Sequence, residues 1–170
     1  MKLNNNEYHP YFETYIGPLA QREESITELM EISAQTFVEL LLTLPEQKEG
    51  YRYAEGKWTI KELLLHVIDT ERIFQYRALR FGRNDQVELQ GFDQDDFIEY
   101  AEADGRTMQS LIDEFVAVRQ ASITLFGSFS EEAMLRMGKA SGNMISVRAL
   151  GYLVSGHQMH HQKVYEEKYL

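Results

Sequence analysis

The sequence contains no cysteine, few prolines and no long hydrophobic run. Without cysteine, disulfides, thiolate metal ligands and a cysteine nucleophile are all excluded. No apolar stretch approaches the roughly 20 residues that a membrane-spanning helix needs. Residues 1–15 lack the apolar segment of a signal peptide, so we expect a cytoplasmic protein. Acidic residues outnumber basic ones by 27 to 17. The resulting net charge of −10 argues against broad binding to nucleic acid or anionic membranes, because phosphate contacts need clustered lysine and arginine.

The residues that are present are typical of one soluble globular domain. The 170 residues, 44% hydrophobic and 26% charged, are enough to bury a sizeable core. We therefore expect a single domain over residues 1–170, in which residues 1–17 form an arm. The aromatic side chains of this arm, which we expect to pack on the domain or on a second subunit, are Tyr8, Tyr11, Phe12 and Tyr15.

The sequence predicts a succession of helices. Apolar residues recur at helical spacing, and we find no alternating β pattern bounded by turns. Thr59 and Glu62 have the spacing of a capping box, and Ser130 and Ser146 are predicted N-caps of two later helices. The predicted helices cover residues 18–44, 59–81, 94–100, 107–126, 130–137 and 146–168. Because four of them are long and have long connections, the sequence predicts an all-α four-helix bundle, whose up-down order stays open.

Three of the five histidines lie between positions 157 and 161. On a helix, His157 and His161 stack on one face and can aim at one point. Such a pair is half of a metal site, because neutral imidazole binds zinc, nickel, copper and iron. His160 also shares a face with His157, although its displacement of about 60° is larger than the about 40° of His161. The alternative is a solvated helix end, whose histidines interact favourably with the C-terminal dipole.

A further histidine, His66, lies among apolar residues near the start of the second long helix. It is either a hydrogen-bonded core residue or a ligand that faces the bundle interior. Together with the pair on the last helix, His66 would complete a set of three histidines with an open position, which is the pattern of a catalytic metal site. Asp69, one turn later, is either an acceptor that orients His66 or an exposed carboxylate.

Several segments together resemble the DinB-like superfamily, also called DinB/YfiT. They are Gly56–Arg72, Tyr76–Arg80, Gly91–Asp96, Gly156–His161 and Lys168–Leu170. The resemblance covers most of residues 50–170 and implies a four-helix bundle in which three histidines hold a divalent metal. The family's ligand positions match His66, His157 and His161. The resemblance therefore favours His161 over His160 as the third ligand.

The chemistry of this family is varied. It includes bacillithiol- and mycothiol-dependent S-transferases, maleylpyruvate isomerases and proteins described as metal-dependent hydrolases. The resemblance implies a metal-dependent enzyme of the thiol S-transferase or hydrolase type, acting on a small molecule such as a low-molecular-weight thiol. We expect zinc or nickel as the ion, since three imidazoles do not separate the two. The aromatic arm and the resemblance together suggest a homodimer that uses the first helix.

A second class of function stays open: a non-catalytic, stress-related binding or interaction protein with a structural or vestigial metal site. No catalytic residue is assigned. Phe92, Trp58 and Asp93 could line the pocket, although Trp58 could instead lie in the core and Asp93 could cap a helix. Gln158 and Met159 stand between the two ligands of the last helix, where many relatives carry a charged residue, so the surroundings of the metal would differ here.

Overall fold

A computed structural model describes residues 3–4 and 6–170 of the chain, and most of them are helical. The α-helices are α1 (Glu13–Ile16), α2 (Ile26–Leu41), α3 (Ile60–Gly82), α4 (Gln94–Glu99), α5 (Met108–Gly127), α6 (Glu131–Leu135) and α7 (Val147–Val164). Short 3₁₀ turns cover Pro10–Phe12, Glu46–Lys48 and Ala103–Gly105, and a π-helical turn covers Tyr165–Tyr169. Two strands, β1 (Met137–Ala140) and β2 (Asn143–Ser146), precede α7. Within these described residues, no helix has the length and apolar character needed to cross a membrane.

The four long helices form a bundle, which confirms the predicted fold class. Helix α7 packs against both α2 and α3, and α5 packs against the same two helices from the other side. The consecutive long helices α2 and α3 therefore lie on a diagonal of the bundle instead of side by side. The connections between long helices must cross the ends of the bundle, so it is not a simple up-down bundle of sequential neighbours.

Capping residues fix where the two histidine-bearing helices begin. The Thr59 hydroxyl accepts a hydrogen bond from the backbone N–H of Glu62, and the Glu62 carboxylate accepts one from the Thr59 N–H, so the predicted capping box is confirmed. The Ser146 hydroxyl accepts from the Ala149 N–H at the start of α7, also as predicted. These caps set the rotational phase of α3 and α7, and with it the faces on which the histidines emerge.

The predicted start of the first long helix at Pro18 is wrong. Helix α2 begins at Ile26, because Ser25 and Glu28 form a second capping box, in which each side chain bonds the backbone N–H of the other residue. Pro18 instead lies in a series of turns. The signal was present in the sequence, since serine followed three residues later by glutamate is the same pattern that marked α3.

The expectation of no β structure is also wrong. Strand β1 pairs antiparallel with β2, and Met137 lies opposite Ser146. The connecting residues Ser141 and Gly142 have φ values of +52° and +78°, which is the backbone of a two-residue type I′ hairpin turn. Strands of four residues are too short to show an alternating pattern, so the Ser-Gly pair was the available signal.

The N-terminal arm packs on its own bundle in the described part of the chain. The buried Glu7 carboxylate accepts hydrogen bonds from the Arg148 guanidinium and the Ser146 hydroxyl. Farther along, the arm touches α7 at Gly156, where an added Cβ would lie 2.1 Å from the Tyr15 carbonyl oxygen. Only glycine permits this approach without displacing the backbone of the arm. Of the two expected partners, the arm therefore contacts its own domain.

Two apolar clusters fill the two halves of the bundle, and a layer of buried polar side chains lies where they meet. Each of α2, α3, α5 and α7 contributes to this layer. Its members are Ser33, His66, Thr70, Glu71, Arg119, Ser122, Ser155, His157 and Gln158. Because polar groups are costly to bury unless they are bonded, the contacts of this layer determine both its stability and its chemistry.

Candidate metal centre

The structure brings His66 and His157 of the polar layer together with the partly buried His161. The Nε2 atom of His157 lies 3.1 Å from the Nε2 atoms of both His66 and His161. One ligand atom from each histidine lies within 4.8 Å of the others. Two imidazole nitrogens bound tetrahedrally to one zinc ion at roughly 2.0–2.1 Å are roughly 3.3 Å apart. Two of the three nitrogen pairs therefore already lie near the spacing that one divalent ion requires, and the third lies within 4.8 Å.

Burial keeps the three imidazoles neutral. Desolvation lowers the pKa of His66 to about 4. The same cause, with a smaller contribution from neighbouring histidines, lowers the pKa of His161 to about 3 and that of His157 well below its ordinary value. Metal ions bind neutral imidazole, so protons compete weakly for this site at neutral pH.

The group beside His66 is Thr70 and not Asp69. The Thr70 hydroxyl lies 3.5 Å from Nδ1 of His66, which leaves Nε2 facing the other two histidines. The half-buried Asp69 accepts a hydrogen bond from Arg72 at 3.2 Å, so the interpretation of Asp69 as the acceptor for His66 is wrong. Thr70 follows His66 by one helical turn, and this spacing was the signal that could have identified it.

His160 lies beside the three histidines without joining them. Its ring packs edge-on against Tyr15, at 5.3 Å between ring centroids, and lies 5.0 Å from the ring of His161. Of the two alternatives that helix geometry left open, the structure brings His161 to the cluster. Nδ1 of His161 is buried and has no hydrogen-bond partner among the described residues.

Aromatic rings enclose the cluster. Tyr15 of the arm and Phe74 of α3 contact the His157 ring at 5.7 and 5.9 Å between centroids. The Trp58 ring lies 4.7 Å from that of His66. These rings shield His66 and His157 from bulk water, which strengthens electrostatic interactions around them.

A buried ion pair between Glu71 and Arg119 lies next to the cluster. Arg119 of α5 donates two hydrogen bonds of 2.9 Å to the Glu71 carboxylate of α3, and Ser122 donates a third at 2.6 Å. The same guanidinium donates to Ser33 of α2 and, at 3.5 Å, to the side-chain oxygen of Gln158 of α7. This network connects all four long helices next to His157. The network is not predicted from the sequence, because charged residues inside a helix are usually solvated.

Two cavities flank the cluster. His66 and His157 border the larger one, of about 470 Å³, which we call the histidine cavity. It is lined by Phe92 and Asp93, as anticipated, and Asp93 also caps α4 by accepting from the Asp95 N–H at 2.9 Å. His161 borders a second cavity of about 350 Å³, together with Trp58, which is therefore a lining residue of the site.

The three histidines lack a fourth protein ligand. No aspartate, glutamate or further histidine in the described ranges joins them at ligand distance. Structural zinc sites are almost always closed by four protein ligands, whereas catalytic sites keep one position for water or substrate. The arrangement is therefore that of an open site.

Comparison with known proteins agrees on the superfamily and on the four-helix bundle. A sequence model of the DinB superfamily matches residues 29–164. The fold is similar to that of YfiT from Bacillus subtilis, described as "a probable metal-dependent hydrolase with an unusual four-helix bundle topology", with a TM-score of 0.75 and 13% identity over 92% of this chain and 95% of that chain. It is also similar to a mycothiol-dependent maleylpyruvate isomerase, with a TM-score of 0.67 and 14% identity over 81% of this chain and 58% of that chain.

A third solved structure extends the comparison. It is a DinB-like protein, YjoA, from Bacillus subtilis, with a TM-score of 0.59 and 19% identity over 84% of this chain and 89% of that chain. No curated protein matches the sequence. Identities this low show a shared fold, and the chemistry of the chain must be argued from its own residues.

Proposed function

This chain belongs to the DinB superfamily, and on that premise we propose that it is a metal-dependent enzyme of the thiol S-transferase or hydrolase type. His66, His157 and His161 would hold one divalent ion. The observation that carries the proposal is the convergence of their three Nε2 atoms beside an open cavity. A volume of about 470 Å³ lies in the range of small-molecule sites.

His66, His157 and His161 would hold the ion, which would supply a Lewis acid and lower the pKa of a bound water or thiol. The residues of the chain prepare the position for it. Thr70 restrains the ring of His66, the low pKa values keep the imidazoles unprotonated, and the rings of Tyr15, Phe74 and Trp58 limit the entry of water. Three imidazoles without thiolate suit zinc and nickel equally, so we propose either as the ion.

The substrate that we propose is a small molecule, and a low-molecular-weight thiol is its best-supported class. The support is the likeness to a structure described as mycothiol-dependent. We also propose that the protein is cytoplasmic and forms a homodimer through α2. Ile32 of α2 and Leu42 at its end leave 45% and 63% of their surface exposed, which supports a contact on that side.

The test combines metal analysis with a search for thiol adducts. We expect elemental analysis after loading to give one ion per chain, and the double variant His66→Ala/His157→Ala to lose it. The loaded protein should then accelerate adduct formation between candidate thiols and electrophiles, and the double variant should not. A site that is equally full in the double variant would refute the ligand assignment.

The alternative is a non-catalytic, stress-related binding protein whose metal site is structural or vestigial. One observation favours it: Nδ1 of His161 is buried without a partner among the described residues, whereas metal-binding histidines almost always donate their second ring N–H to an acceptor. A loaded protein that binds no thiol and accelerates no reaction would support this alternative.

A further inference from the structure

A second chemically distinct group borders the histidine cavity. Arg77 lies eleven positions after His66 on α3, and at about 100° per residue the two side chains leave the helix within about 20° of each other. Both residues line the same cavity. One face of α3 therefore presents the candidate metal ligand at one end of the cavity and a guanidinium at the other.

Arg77 differs from the other buried arginines in having no carboxylate partner. Only 6% of its surface is exposed. Arg119 is paired with Glu71 and Arg148 with Glu7, but no carboxylate of the described residues forms an ion pair with Arg77. An arginine side chain cannot shed its charge in a protein, and an isolated buried cation is costly.

The neutral contacts of Arg77 use one of its three guanidinium nitrogens. Nη2 donates to the Ser141 hydroxyl at 2.9 Å and to the Gln90 carbonyl oxygen at 3.3 Å. Nε and Nη1 make no hydrogen bond to the part of the chain that the structure describes. The hairpin turn at Ser141 thus fixes the guanidinium while two of its nitrogens remain available to an acceptor.

The acidic residues at this cavity do not satisfy Arg77. Asp93 and Asp95 line the cavity but are solvent-exposed, and the Asp93 carboxylate is engaged in capping α4. They place negative charge at the rim, which would repel ligands with several negative charges. A ligand with a single carboxylate suits this combination better than a phosphate or a polyanion.

We propose that Arg77 binds the carboxylate of the substrate and thereby selects small monocarboxylates whose reactive end reaches the histidines. The position of the reactive end at the histidines rests on the proposed function. The carboxylate site at Arg77 does not depend on it. The Cα atoms of Arg77 and His66 are about 16 Å apart along the helix axis, and the arginine side chain tilts back towards His66. The ligand must therefore span on the order of 10 Å.

The test uses ω-mercaptocarboxylates of increasing chain length, each matched by the uncharged ω-mercaptoalcohol. Their affinities for the cobalt-loaded protein are read from the thiolate-to-cobalt absorption. At the best chain length we expect the acid to bind about tenfold tighter than the alcohol, or more, since hydrogen bonds between charged groups are strong. The preference should disappear in Arg77→Met and persist in part in Arg77→Lys. Arg80→Met is the matched control, because Arg80 lies on the same helix but pairs with Asp85 at the surface.

A second measurement does not depend on the metal and is made on the wild-type protein, so a variant is needed only for the assignment. The Nε–H resonance of Arg77 in ¹⁵N-labelled wild-type protein, assigned by its loss in Arg77→Lys, should shift with the acid and not with the alcohol, both with and without metal. Equal affinities for acid and alcohol, or an unmoved resonance, would overturn the role of Arg77. A shifted resonance in a protein that takes up no metal would instead refute the proposed metal site and leave the carboxylate site standing.

Discussion

At the scale of single residues, the structure brings His161, and not His160, into the cluster with His66 and His157. Both follow His157 by about one turn, but only His161 places its Nε2 atom 3.1 Å from that of His157. We expect His161→Ala, which removes a ligand, to lower metal affinity by at least about tenfold. His160→Ala should change it far less, because the His160 ring packs against Tyr15 and His161 without a hydrogen bond to the cluster. Calorimetric metal titration of both folded variants measures this. Loss of binding in His160→Ala alone would show that the ligand set is wrong.

The buried histidines also predict how the stability of the metal-free protein depends on pH. Burial lowers the pKa values of His66 and His161 to about 4 and about 3, whereas in the unfolded chain both have pKa values of about 6.5. Below pH 6.5 the unfolded chain therefore binds more protons than the native protein. The free energy of unfolding of the metal-free protein should therefore fall as the pH is lowered from 7 to 5.

The variant His66→Gln tests whether the buried histidines cause this dependence of stability on pH. Removing one such histidine should reduce the slope by up to about 1.4 kcal/mol per pH unit. Urea unfolding of both proteins in the presence of a chelator, at several pH values between 7 and 5, gives the two slopes. Equal slopes would mean that the pH dependence comes from other groups.

At the scale of elements, the caps explain why the three histidines could be found from the sequence. Thr59 and Ser146 fix the starts of α3 and α7 through local backbone hydrogen bonds, which depend on neighbouring residues alone. Periodicity then places His66 and His157 on the inner faces. Whether these histidines bind a metal stays a prediction.

The features that the sequence did not reveal depend on contacts between distant segments. Glu71 and Arg119 lie 48 positions apart, and each, considered alone, is an ordinary charged residue of a helix. Arg77 likewise becomes unusual only when the hairpin at Ser141 meets α3 without bringing a carboxylate. Neither pairing nor its absence can be read from local periodicity, because both follow from how the helices cross.

The Glu71–Arg119 pair should be a major contributor to the packing of the helices. Arg119→Met leaves a buried carboxylate without its cation, and we expect a loss of about 3–5 kcal/mol in the free energy of unfolding. The double variant Glu71→Leu/Arg119→Met should lose less than either single variant, since no buried charge remains. Arg72→Met is the control, because its ion pairs are at the surface, and it should lose no more than about 1 kcal/mol. Urea unfolding measures all four; a double variant less stable than both single variants would contradict this account.

At the scale of the whole molecule, the structure changes the basis for expecting a homodimer. The arm was one reason for that expectation, and its described residues contact their own bundle through Glu7 and Tyr15. The resemblance to the superfamily remains, and the structure adds the outer face of α2. A groove of about 270 Å³ between α2 and α7 is lined there by residues that include Leu29, Ile32 and Met159. A second copy of the chain would cover this groove along with the exposed Ile32.

We therefore expect a dimer in which two copies of α2 face each other, and a mass in solution of twice 19.8 kDa. Ile32→Glu should convert it to a monomer, because a charge buried in an apolar interface is unfavourable. Val116→Glu is the matched control, since Val116 of α5 is exposed to a similar extent, 48% against 45% for Ile32, but lies on another helix. Light scattering at micromolar concentration measures the three masses. A monomeric wild-type protein would refute the dimer. Dissociation by Val116→Glu alone would show that the interface lies on α5 and not on α2.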